Sequence, residues 1–340
     1  MTLKTNKKGS ILIMSLWILA ILSILAMGLG FRSSIEARLS KYNMDRLNAL
    51  YLAKAGVIKC QDLLSNDSNS YDSIYECGIT LPPKQKLEDI FMNVKLADDP
   101  SGYFNVCYNN TDSKSYPGMM DEERKININR APEDALKNLL QALNGEGKLP
   151  MGAGQIDEIV SSIVCWRSPA PGVDDHYYES LVPPYQCKHA FFCALEELLL
   201  VKGVNLEIFN SIKDYITIFG PDDGRNNINT APKEVLMALG MPEMLADKVI
   251  IFRNGSQVLL DVNTMDSVLS SNLPGGLTDD EVLVLGNLKS KQCFTTASNY
   301  FRIESKGVIN TSKIEKKIIC VAQRDAANKG VSKLISYREY

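Results

Sequence analysis

The sequence predicts an α+β fold: one long N-terminal helix packed on a small antiparallel sheet, with a large all-helical block inserted between the strands. Three observations carry this reading. A charge-free apolar run from Ser10 to Phe31 continues without a proline as an amphipathic stretch to about Leu64. Segments of apolar/polar alternation lie before residue 122 and after residue 286. Between them, a motif with the marks of a helix start appears twice, 100 residues apart.

The first element begins with a short basic head, "MTLKTNKKG", followed by "SILIMSLWILAILSILAMGLGF". A helix over those 22 uncharged residues would be roughly 33 Å long, enough to cross a hydrocarbon core of about 30 Å. It is longer than the ~7–15 residues of a secretory h-region. Lys4, Lys7 and Lys8 stay cytoplasmic by the positive-inside bias, which places everything after Phe31 across the membrane. Retention of the whole run and a tripartite signal cut after Ala26 both remain open at this point. Apolar residues then recur at Ile35, Leu39, Tyr42, Leu47, Leu50, Ala53, Val57, Leu63 and Leu64, with Gly56 as the breaker. That three-to-four spacing predicts one helix with a transmembrane part (10–31) and an extramembrane part (32–66), the alternative being an anchor followed by a separate surface helix.

The strands are read in two parts. "DIFMNVKLADDPSGYFNVCYNN" lies in the first (67–122) and "SNYFRIESKGVINTSKIEKKIICVAQRD" in the second (286–328), leaving 329–340 as a C-terminal tail. The block between them, 123–285, carries the duplication: "ININRAPEDAL" at Ile126–Leu136 returns as "NNINTAPKEVL" at Asn226–Leu236, giving copies 126–220 and 226–285. A polar residue before Ala-Pro, proline in the first turn and acidic residues behind it are the chemistry of a helix start. Each copy is followed by a further amphipathic helix, "QIDEIVSSIVCWR" and "MLADKVIIFR". With "LPMGAG" and "ELLLVKGVN", the pattern is similar to helix-hairpin-helix and SAM-like modules. Charge opposes a nucleic-acid role: residues 123–285 hold 13 Lys and Arg against 23 Asp and Glu, and such a surface repels polyphosphate. The second copy, "LGMPEML", also lacks the hairpin glycines. From Gly286 onward the balance reverses, with 11 basic and 4 acidic residues, which fits a solvated face or an acidic partner.

Hydrophobic content of 45%, charged content of 23% and a net charge of −3 are ordinary globular values. No nucleophile–base pairing, P-loop or dinucleotide fingerprint is present, so those enzyme classes are set aside. All eight cysteines follow the membrane segment, where a translocated chain favours disulfides, and Cys187 and Cys193 are close enough for a local bridge. Cys165, His176, Cys187, His189 and Cys193 together offer zinc ligands, in spacings that match no compact finger. The loop "SPAPGVDDHYYESLVPPYQCKHAFFCALEELLLVKGV" sets Asp174, Asp175, Glu179, Glu196 and Glu197 in an irregular, proline-rich setting, and "GPDDGRNN" adds Asp222 and Asp223. Hard oxygens in such loops either bind calcium or are simply solvated, and no EF-hand pattern occurs.

The basic head ending in Gly9, the uncharged run from Ser10 and its unbroken continuation resemble a type IV pilin-like prepilin. The resemblance implies cleavage by a prepilin peptidase between Gly9 and Ser10, methylation of the new amine at Ser10, and retention of the helix. Met14 stands where such chains usually carry glutamate. A buried carboxylate in lipid needs a partner, so an uncharged residue there suits a subunit with no neighbour above it. In order along the chain, "SGYFNVCYN", the paired "NINxAP" units, "DDHYY…PPY", "EELLLVKGV" and "SNYFRIESKG…VAQRD" resemble the K-type minor pseudopilins of type II secretion systems. That family implies a pilin-like scaffold bearing a helical insertion and no enzymatic activity. It also implies a place at the tip of a periplasmic pseudopilus with I- and J-type minor pseudopilins and inner-membrane platform subunits. Structural calcium is implied as well, with Asp174, Asp175, Glu197, Asp222 and Asp223 as its ligands. A membrane-anchored competence-type DNA receptor and a minor pilin priming a type IV pilus are the alternatives; the latter would lack the paired insertion.

Overall fold

Helix α1 spans Lys7–Asn66 in the computed structural model, which describes residues 7–81, 85–97, 99–109, 114–149, 151–170, 172, 174–255, 257–324 and 332–340. Every side chain from Ile11 to Met44 is exposed, and this part includes an 18-residue window of mean hydropathy 2.6, long and apolar enough to cross a membrane. The lower half behaves differently. Ala49, Leu52, Ala53, Val57, Cys60 and Leu64 are buried at the three-to-four spacing of one helix face.

A one-turn helix α2 (Leu87–Phe91) leads into strands β1 (Val94–Leu96), β2 (Asp99–Asn109), β3 (Ser115–Pro117) and β4 (Met120–Asp121). The inserted block follows with β5 (Ile126–Asn127), α3 (Glu133–Gly145), α4 (Ala153–Arg167), α5 (Asp175–Glu179), α6 (Leu206–Ile212) and β6 (Ile216–Thr217). It continues with β7 (Asn226–Asn227), α7 (Lys233–Ala238), α8 (Glu243–Asn254), α9 (Met265–Asn272), α10 (Asp279–Ser290) and β8 (Phe294–Thr295). Strands β9 (Tyr300–Ile309), β10 (Glu315–Arg324) and β11 (Ser332–Glu339) close the chain.

The main sheet is antiparallel, ordered β1-β2-β9-β10-β11, with β3 on β2 and β4 on β9. Because β2 pairs directly with β9 (Phe104 opposite Gly307), the block leaves and rejoins the sheet between neighbouring strands. The sheet and the buried face of α1 share one apolar core, centred on Leu52, Phe104, Phe301, Ile303 and Ile318. The block has a second core of its own, around Leu139, Leu143, Ile159, Leu236 and Leu245.

Two boundaries differ from the sequence expectation. Residues 332–339 are not a tail but the edge strand β11, registered from Ile318↔Glu339 to Arg324↔Ser332. Its less exposed positions are Ser332, Leu334 and Ser336, so only one apolar residue points inward and the alternation is invisible. The helical block runs past residue 285, because α10, fixed by the Thr278–Glu281 capping box, continues to Ser290.

The duplication is structural to the level of single hydrogen bonds. Each copy opens on a short strand paired in parallel with the strand that ends it, β5 with β6 and β7 with β8. The first Asn of each motif accepts from the backbone two residues on, Asn129 N–H to Asn127 Oδ1 (3.0 Å) and Asn229 N–H to Asn227 Oδ1 (2.9 Å). The second Asn clamps a distant backbone in both directions, Asn129 with Phe192 (3.0 and 2.8 Å) and Asn229 with Leu259 (2.9 and 2.9 Å). An arginine in the last turn of each second helix caps the motif turn. Arg167 donates to the Ile128 and Ala131 carbonyls, and Arg253 to those of Ile228 and Ala231. Pro132 and Pro232 occupy the N-cap position rather than the first turn, and the helices start one residue later. The asparagines thus staple the turn instead of capping the helix.

Candidate functional site

The loop between the two copies is held by aromatic packing. Trp166 meets Tyr178 edge-on at 5.4 Å, and Tyr185 and Phe192 complete the cluster. Tyr178 is fully buried and its hydroxyl accepts from the Lys202 backbone, while Tyr185 donates to the Leu200 carbonyl at 2.7 Å.

On this frame, each acidic residue singled out from the sequence lies beside a basic side chain of its own. Buried Asp174 accepts from Ser162 Oγ (2.8 Å) and pairs with Lys202 Nζ (3.1 Å). Glu197 takes Lys188 on both oxygens (2.9 and 2.8 Å) and the Cys193 N–H at 3.0 Å. Burial pushes the Glu197 carboxyl up, but those partners together hold it below its ordinary value. Asp222, exposed, pairs with Arg130, and Asp223 with Arg225. Glu179 lies 3.6 Å from exposed His176, and Glu196 meets Arg338 at 3.1 Å. Asp175 faces His189 Nε2 at 3.0 Å.

Calcium takes about six to eight oxygens around one point. Among the described residues no three of Asp174, Asp175, Glu197, Asp222 and Asp223 converge within 4.8 Å, so a calcium ion at any of them would draw the rest of its oxygens from elsewhere, such as backbone carbonyls. The group that does converge is Cys165, Asp175 and Cys187. The expected Cys187–Cys193 bridge is therefore corrected. Cys187 turns to Cys165, whereas exposed Cys193 lies 3.2 Å from Lys188 Nζ. Of the zinc candidates, His176, His189 and Cys193 stand outside this group, His189 beside it through Asp175.

A second polar centre joins the block to the sheet, and sequence reasoning missed it. Residues 121–125, "DEERK", are five successive charged side chains and all are buried. Asp121 accepts from Thr230 (2.5 Å) and Ser298 (2.7 Å); Asp72 accepts from the Ser298 and Gly78 N–H groups (2.8 Å each) and Arg324 (2.9 Å). Asn227 of the second motif donates to the Asp72 carbonyl and Ser298 Oγ, and Asn226 to the carbonyls of Glu123 and Lys125. Glu122 binds Arg302, Thr217 and Lys125. Burial pushes its carboxyl up, yet Lys125 and Arg302 outweigh this and bring it to about 2. Burial raises Asp121 to about 6 and, with Asp121 beside it, Glu123 to about 8.

Glu123 therefore confers a pH dependence. Its folded pKa lies above the ordinary 4.5, so the native state takes up a proton as pH falls from about 8 toward 4.5 and gains stability across that window. Glu123→Gln, which is permanently neutral and still accepts the Asn299 N–H, should flatten the rise in thermal midpoint over that window. An unchanged slope in the variant would refute this assignment.

Comparison with known proteins places this architecture. Residues 104–221, from β2 through the first copy of the duplication, match the family model of type II secretion system (T2SS) protein K. That stretch is similar to the type II secretion protein K family. Residues 8–57 also match a PilX N-terminal model, which covers most of α1. A curated relative, type II secretion system protein K of Aeromonas hydrophila, is 32% identical over 79 residues, 22% of this chain and 24% of the relative. The matched stretch thus spans about a quarter of that protein. A chain in the crystal structure of the GspK-GspI-GspJ complex from the enterotoxigenic Escherichia coli type 2 secretion system superposes with a TM-score of 0.60 at 16% identity. It covers 90% of this chain and 99% of that one. That likeness shows a shared fold, and the protein K resemblance read from the sequence is borne out.

Proposed function

We propose that this protein is a non-enzymatic minor pseudopilin of the protein K type that caps the tip of a type II secretion pseudopilus and supports export of folded proteins across the outer membrane. Its partners in this reading are I- and J-type minor pseudopilins, as in the complex that contains the structural relative. The apolar half of α1 anchors the chain in the inner membrane, and the globular part faces the periplasm. One observation carries the reading: a pilin-like helix-and-sheet unit holds a second, independent core beyond the sheet, between β4 and β9. So large an insertion suits the end of a fibre rather than its shaft. Met14 agrees, since a terminal subunit has no neighbouring amine to neutralise a carboxylate in lipid.

Processing is the test closest to hand. Chain purified from its native membrane should lack residues 1–9 and carry a methylated Ser10. The same chain from cells without the prepilin peptidase should be intact. A full leader in both, or a cut near Ala26, would overturn the pseudopilin reading. Co-purification with the I- and J-type subunits, lost when the chain is truncated before residue 49, tests the partners.

A further inference from the structure

We propose that Cys165, Cys187 and Asp175 form a binding site for a thiophilic divalent cation of the zinc class, with His189 beside them as a fourth donor or as the group that orients the carboxylate. The two thiol sulfurs and a carboxylate oxygen lie within 4.8 Å of one another, although the three residues come from the end of α4, the loop after α5 and the first position of α5. The site is enclosed from above by backbone: a Cβ on Gly172 would stand 2.1 Å from Cys165 Sγ, and the Gly172 N–H donates to Asp175 Oδ2 at 3.2 Å.

The polar atoms around the thiols point to a cation. Asp175 Oδ1 is buried and receives no hydrogen bond, although His189 Nε2 is 3.0 Å from it. His189 Nδ1 lies 3.1 Å from the Ser168 carbonyl, which can only accept, so that nitrogen carries the ring hydrogen. In the neutral ring Nε2 is then a bare lone pair facing a carboxylate oxygen, two acceptors opposed. A proton or a metal ion resolves that opposition, and a metal ion also uses the two sulfurs. Backbone hydrogen bonding at the far nitrogen is the arrangement that fixes a metal-binding imidazole. His189 is held at φ +48°, an uncommon conformation for a non-glycine residue, which aims its ring into this corner.

The donor set excludes the cation implied by the family resemblance. Calcium binds oxygen ligands only, whereas two thiolates with a carboxylate or imidazole are tetrahedral zinc chemistry. Binding would release the thiol protons and tie the end of α4 to the loop that leads into the second copy. This assignment does not depend on the tip-capping reading.

The test uses the full chain in detergent, reduced, stripped of metal and then given zinc or cobalt(II) alone. A single zinc should survive gel filtration, and cobalt should give a near-ultraviolet thiolate charge-transfer band. Cys165→Ser and Cys187→Ser should each abolish the band. His189→Gln should keep it and weaken zinc binding roughly 10- to 100-fold. Absence of the band in the unaltered chain would overturn the proposal, and so would retention of calcium in preference to zinc. An unreduced native chain lighter by two hydrogens, with that loss cancelled in both cysteine variants, would show a Cys165–Cys187 disulfide instead and would equally overturn it.

Discussion

Replacing Glu122 by Gln is expected to destabilise the junction between sheet and helical block by ~3–5 kcal/mol, the cost of breaking a buried ion pair from one side. The side chain is fully buried, and it is the counter-charge for both Lys125 and Arg302. Gln keeps a hydrogen bond to Thr217 but leaves buried Lys125 and partly buried Arg302 without their nearest anion. Lys125 offers a partial escape, because burial already brings its ammonium down to about 8 even with Glu122 present. Without the carboxylate its pKa drops further, and the lysine sheds its proton. The deficit of the variant should therefore be largest at low pH, shrink as pH rises toward 8 because only the variant's folded chain has lost a lysine proton that its unfolded chain keeps, and level off above 8, where the native protein loses that proton too. Thermal midpoints of the two proteins from pH 5 to 9 give the measurement. A gap that stays constant or widens with pH would mean that Lys125 is not compensated by Glu122.

The same junction marks where sequence reading stops. Periodicity reports apolar positions, so much of the buried face of α1 and the alternation in β9 and β10 were legible, from Ala53 and Val57 to Ile303 and Ile318. The repeated Asn and Ala-Pro were legible as a duplication because both copies solve one local problem, the stapling of a tight turn. "DEERK" was not, since its partners Asn226, Ser298 and Arg302 lie 101 to 180 residues away in sequence, and a charge run by itself reads as solvated. The acidic loop misled for the complementary reason. Asp174 and Glu197 are neutralised by Lys202 and Lys188, lysines whose proximity no spacing rule reveals. Cys187 was paired with its neighbour in sequence, Cys193, while its neighbour in space is Cys165 on the preceding helix. What was legible was each element; what was not was the set of long-range polar contacts between elements.

Gly307→Ala should lower stability by about 1–3 kcal/mol or more, although it adds one methyl group. α1 crosses β9 so closely that a Cβ on Gly307 would stand 2.0 Å from the Ala49 carbonyl oxygen and 2.7 Å from the Ala53 backbone nitrogen. These are atoms of a helix backbone held by their own hydrogen bonds, so relief requires α1 to lift from the sheet along Ala49, Leu52 and Ala53. Gly286→Ala supplies the control. Position 286 lies inside α10, where an added Cβ meets nothing within 4 Å, and the change should stabilise by ~0.5–1 kcal/mol through helix propensity. One chemical substitution thus acts with opposite signs at two glycines, which separates contact from propensity. Thermal midpoints measure both, and trypsin cleavage after Lys54 and Lys59 reads the release of the helix directly. If Gly307→Ala neither lowers the midpoint nor speeds that cleavage, α1 does not lie on β9 at this distance and the helix-on-sheet core described here is wrong at its centre.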